Sequence, residues 1–213
     1  MAILPPVKVT FAKRIPIDLT PAQTQAFWRY FQKIYGTRVV QKATAREMKA
    51  IAWFLDLIGV MDHKSFLSNY TTTIGKTIYT PYKIGKPNDG WTNWGQCVTC
   101  IHEHVHVDQY NRHGRFKFFT RYLLSSAKRA MYEAEAYRSN MELHFWRHGR
   151  LPDIKKLAGK LESYGCAKID IKVAEKLLAS SAMAVKRGAV INRASKFGIR
   201  WLERNAPALK ART

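Results

Sequence analysis

Acidic residues are scarce in this chain. Its 213 residues include 15 Asp and Glu against 36 Lys and Arg, a formal net charge of +21. The excess is +8 over residues 1–90, +4 over 91–150 and +9 over 151–213. Such a field draws polyanions: DNA, an acidic cell-wall polymer or a membrane surface. Long apolar runs are missing too. None approaches the 18 or so residues of a membrane span. The start, Met1-Ala2-Ile3-Leu4-Pro5-Pro6, lacks the basic-then-apolar layout of a secretion signal, so the protein is expected to stay in the cytoplasm of the cell that makes it or to leave by lysis or a dedicated route. Three cysteines (Cys97, Cys100 and Cys166) are too few for a disulfide framework. No repeat, low-complexity tract or linker divides the chain, and one domain over 1–213 is expected.

What the chain does have is helical punctuation. Thr20, Pro21 and Gln23 form a capping box ahead of Phe27, Trp28, Phe31 and Ile34, with Gly36 as the stop. Thr44 and Glu47 open a second helix with the face Met48, Ile51, Ala52, Leu55 and Ile58. Residues 70–80 are β-branched and aromatic, with Gly75-Lys76 as a two-residue hairpin turn. Helices are then expected over about 94–111, 116–124, 126–148, from Pro152-Asp153 to about 164, from an Asp170 cap to 186, and finally to about 205. The fold class is mainly α with a small β-hairpin or sheet (α+β). Phe116, Phe118, Phe119 and Tyr122 are expected on a core face with the charges outside.

The most informative string is His102-Glu103-His104-Val105-His106. Histidines four residues apart share one helical face and can reach one ion, and the intervening Glu can take a proton from water. His104 falls on the opposite face, as a hydrogen-bonded, partly buried histidine. A zinc site also needs a third protein ligand. A histidine three residues beyond a glycine would need Gly at position 109 and His at 112. The chain has Gln109 and Arg112, with His113 one place further on. A later helix offers Glu133 or Glu135, about 200° apart, so that only one can face the motif. Cys97 and Cys100 offer thiolates. Tyr137, Tyr110 and His113 are candidate donors to an oxyanion, and Asp108 is a carboxylate that might orient an imidazole. His144 and His148 read as surface histidines.

Residues 71–79, 101–110 and 133–137 together resemble a minimal gluzincin of the kind common in phage and bacterial genomes. There a Thr-x-Gly-x-x-Ile-Tyr strand pair precedes a His-Glu-Leu-x-His-x-x-Gln helix, and a Glu followed by Ala lies on a later helix. The resemblance implies a zincin-like core over 70–149, flanked by a helical part at 1–69 and a basic helical part at 150–213. It implies one Zn²⁺ held by His102, His106 and Glu135 (alternatively Glu133), with Glu103 as general base. The expected activity is that of a zinc metallopeptidase on a peptide or protein substrate, whose extended chain pairs with the strand near residues 74–80. The competing expectation is a basic nucleic-acid-binding or virion-associated protein whose metal site is structural or inactive.

Overall fold

The computed structural model describes residues 18–46, 48, 68, 70–88 and 90–211. The elements run α1 (Pro21–Tyr35), β1 (Arg38–Gln41), β2 (Thr72–Ile74), β3 (Thr77–Thr80), α2 (Asn93–His113), α3 (Arg115–Leu124), α4 (Ser126–His148), α5 (Ile154–Gly159), α6 (Lys168–Lys186) and α7 (Arg193–Asn205). The architecture is mainly helical with one small mixed sheet. Among the described residues no helix is long and apolar enough to cross a membrane.

Local chemistry sets most boundaries. Thr20 accepts the Gln23 N–H while the Gln23 side chain returns to the Thr20 N–H, and Gly36 closes α1 in the left-handed region. Thr92 caps α2 through the Gly95 N–H, and Gly149 ends α4 at φ 64°. Asp170 is not a cap: α6 starts two residues earlier, and Asp170 instead accepts a hydrogen bond from Ser126. The second expected helix, over Ile51 to Ile58, lies outside the described residues.

The hairpin forms as read, with Ile74 opposite Thr77 and a positive φ at Gly75 only, the pattern of a type II′ turn. The sheet order is β1-β3-β2, with β1 parallel to β3. β1, which the sequence did not announce, therefore occupies one edge. β3 is bonded on both sides and is closed to a substrate. Among the described residues β1 and β2 are the edge strands.

α2 is the axis of the molecule. It packs against α1, α3, α4, α7 and β2, and it is buried nearly all round although it carries Asn93, Gln96, His102, Glu103, His104, His106 and Gln109. A helix buried on every side is ordinarily apolar; here each polar group must find a partner indoors. One apolar cluster joins α1, α2 and α7 through Phe27, Trp28, Phe31, Ile101, Val105 and Leu202. A second joins α4, α5 and α6 through Ala134, Met141, Leu157, Leu161 and Leu178. α4 contributes to both.

Close approach of α7 to α2 depends on Gly198. A Cβ there would run into Ile101 Cδ1, with Ile101 Cγ1 at 3.0 Å and Phe27 Cζ at 3.4 Å. Gly198→Ala is therefore expected to cost about 1–3 kcal/mol, measured by denaturant unfolding.

Beside β2, the buried Lys42 ammonium donates to Tyr70 O (2.9 Å) and Thr72 Oγ1 (2.8 Å). Burial lowers its pKa from 10.5 to about 7. Between those values the unfolded chain holds the proton and the folded chain has released it, so stability rises with pH across the window. Relative to Lys42→Met, the wild type should gain about 1.4 kcal/mol per pH unit between roughly pH 7 and 10. Urea unfolding of both proteins at several pH values checks this.

Candidate metal centre

α2 presents His102 and His106 on one face, and α4 brings Glu133 against them. The Nε2 of His102 lies 3.3 Å from Glu133 Oε2, and the Nε2 of His106 lies 3.4 Å from Glu133 Oε1. Among the described residues these three form the group able to hold a metal ion, and all three are buried. One ligand atom from each of the three lies within 4.8 Å of the others, close enough for all to reach a shared ion.

The hydrogen-bond pattern fits as well. Gln109 Nε2 donates to Tyr132 O (2.9 Å) and to Glu135 Oε2 (3.1 Å). Both partners are acceptors, which fixes the amide with Oε1 toward His106 Nδ1 at 2.9 Å. His106 therefore carries a proton on Nδ1, and its Nε2 faces Glu133. Tyr122 donates to Glu133 Oε1 (2.6 Å), yet Glu133 Oε2, fully buried, has no hydrogen-bond partner. A buried carboxylate oxygen with only the His102 ring nitrogen beside it, at 3.3 Å, has room in its coordination for a cation. Burial pushes the Glu133 pKa up, but His106, His102 and Tyr122 outweigh it and leave Glu133 ionised, at about 2.

Glu133, not Glu135, thus faces the imidazoles. Glu135 sits on the outer side of α4, where Arg112 holds it in an ion pair at 2.6 Å. The two acids point apart, and the guanidinium at the end of α2 captures the outer one. Glu135 acts on the site only at one remove, through Gln109.

The other candidates separate cleanly. Glu103 Oε2 accepts from Thr73 Oγ1 at 2.6 Å. Glu103 and His102 line an open cavity of about 510 Å³ together with Tyr137, Asn140, Trp91 and Trp94. Trp94, Val98 and His102 lie on one face of α2, so the cavity follows that helix for about 12 Å. Tyr137 packs 5.2 Å from the His102 ring, centroid to centroid. Burial and the Glu133 charge keep its hydroxyl protonated and able to donate. Tyr110 instead lies under the hairpin turn, 3.5 Å from where a Cβ on Gly75 would stand. His113 rests on Tyr132, away from the cavity. Neither is placed to meet an oxyanion. Asp108 also faces elsewhere, accepting from Tyr35 (3.0 Å) and pairing with Arg193 (3.3 Å); Gln109 does the orienting that Asp108 was a candidate for.

His104 behaves as a core histidine, within 3.0 Å of Thr37 Oγ1 through Nε2 and 2.6 Å of the Cys100 carbonyl through Nδ1. Burial drops its pKa to about 4, so it stays neutral. Cys97 and Cys100 are fully buried, and burial pushes both thiols up, away from the thiolate a metal needs.

Three contributors escaped the sequence reading. Thr73 orients Glu103, Tyr122 braces Glu133, and Asn140 lines the cavity with His102. Only Asn140, seven residues after Glu133 on the same helical face, carried a signal that spacing could have used.

Comparison of the chain with family models, with curated proteins and with solved structures gives no match. The functional reading therefore rests on the site itself.

Metal analysis tests the ligand set. Glu133→Ala should reduce bound zinc from about one per chain to a small fraction, whereas Glu135→Ala should retain it. Gln109→Ala should weaken binding roughly 10–100-fold by freeing His106. Zinc titration against a competing chelator measures all three.

Proposed function

We propose that this chain is a zinc-dependent metallopeptidase that hydrolyses amide bonds in peptides or proteins. The observation that carries the reading is the division of labour on α2. His102 and His106 converge on Glu133, while Glu103 stays out of that group and faces a cavity large enough for substrate. Two histidines and a carboxylate from a separate helix make the three-ligand set of a hydrolytic zinc site, with a fourth position left for water.

Bound there, zinc would lower the pKa of a coordinated water and polarise an amide carbonyl. The chain supplies the rest. Glu103, oriented by the Thr73 hydroxyl, takes a proton from water as the new C–O bond forms. It returns that proton to the amide nitrogen as the C–N bond breaks. Tyr137, held protonated at the cavity wall, is the donor placed for the developing oxyanion. β2, the edge strand that carries Thr73 beside Glu103, can take an extended substrate as an added strand. That role passes from the β3 segment to residues 72–74.

Glu103→Gln is the deciding variant. It should keep zinc and the fold while lowering hydrolysis of a denatured-protein or mixed-peptide substrate by about 10²–10⁴-fold. A wild-type protein that binds zinc stoichiometrically yet cleaves no such substrate would make the centre a structural one.

A further inference from the structure

α3 has two unlike faces. Phe118 turns inward, packing against Tyr122 and Tyr132 with ring centroids 5.9 and 5.0 Å away. This overturns the expectation that all the aromatics of 116–122 join the core. Phe116, Phe119 and Leu123, spaced i, i+3 and i+7, lie together on the opposite side and are exposed. Phe116 is 83% exposed, and Leu124 beside the stripe is 84% exposed. A helix that completed only its own domain would be polar there. Ser126, just after α3, bonds both the Ala167 N–H and Asp170, and on α6 Ile169 and Val173 are exposed as well.

The surroundings are cationic. Residues 112–131 contain six Lys and Arg and no Asp or Glu. A depression of about 200 Å³ is lined by Arg112, His113, Arg121, Lys128, Met131, Tyr132 and Glu135. Its carboxylate, Glu135, is already paired with Arg112. Burial, then the charges of Arg112 and Arg121, lower the His113 pKa, as expected where positive potential concentrates.

We propose that this face is a peripheral binding surface for anionic lipid bilayers. Phe116, Phe119, Leu123 and Leu124 enter the boundary between headgroups and acyl chains, while Lys117, Arg121 and Lys128 meet the headgroup phosphates. The combination selects lipid over nucleic acid. DNA phosphates would satisfy the cations but leave Leu123, Leu124 and Ile169 in water, whereas a bilayer accepts both kinds of group. The opposite side of α3 carries Tyr122, which holds Glu133. Membrane contact would therefore keep the metal centre within about one helix diameter, roughly 10–12 Å, of the lipid surface. The surface stands on its own observations and does not require that the centre be hydrolytic.

The test is co-sedimentation of the full chain with vesicles of phosphatidylcholine alone and of phosphatidylcholine mixed with phosphatidylglycerol. Binding should be confined to the mixed vesicles and weaken with salt. The triple variant Phe116→Ser/Phe119→Ser/Leu123→Ser should bind them at least about tenfold more weakly, with zinc content and thermal unfolding unchanged. Lys117→Gln/Lys128→Gln, which leaves the apolar stripe intact, should also bind them more weakly. Four results would overturn the proposal: equal binding of the triple variant and wild type, equal binding to neutral and anionic vesicles, binding to duplex DNA with none to vesicles, or a dimer in sedimentation equilibrium that the triple variant dissolves while vesicles bind neither protein.

Discussion

Three electron-rich atoms face one another in the protein interior, two imidazole nitrogens and a carboxylate oxygen, and the middle of the fold is arranged around that fact. In a low-dielectric interior such a cluster is stable only with positive charge among its members. The chain meets the demand by orientation. Gln109 commits the far nitrogen of His106, Tyr122 commits one oxygen of Glu133, and the remaining lone pairs are left to converge. The result is a buried group that could hold a cation without any surface-exposed acid taking part.

That cluster explains why α2 is buried on all sides yet polar. Each polar residue on it has a separate assignment. Gln96 ties down the loop before the helix through the Gly85 N–H. His104 locks α2 to α1 and the Thr37 turn. Glu103 is turned to the hairpin and His102 to α4. The apolar residues between them anchor the two clusters that α4 joins. The site is therefore part of the core and inherits its rigidity, which is what preorganised chemistry requires.

The basic charge is spread along the chain, and one cluster of it lies on a different part of the molecule from the buried triad. The cavity beside Glu103 has a mixed aromatic and polar lining, whereas cations gather around α3, whose outer face is apolar. One helix links the two regions: its inner Tyr122 touches a metal ligand, and its outer side meets solvent. Location at a surface and chemistry at a buried centre are thus only one helix apart.

Much was legible in the residues themselves. Helix ends at Thr20, Gly36, Thr92 and Gly149 follow from capping chemistry, which is local. The hairpin turn follows from the backbone freedom of Gly75, and the pairing of His102 with His106 from the helical repeat. These features need only neighbours within a turn, so sequence alone determined them. Which acid completes the triad was not local. Glu133 and Glu135 are equivalent on spacing, and only the position of Arg112 at the end of a different helix draws one of them outward. The fate of Asp108, the closure of β3 by β1 and the outward turn of Phe116 and Phe119 were decided the same way, by which surfaces meet when separate helices and strands pack. Those contacts join residues far apart in the chain, and their geometry exists only once the tertiary structure has formed.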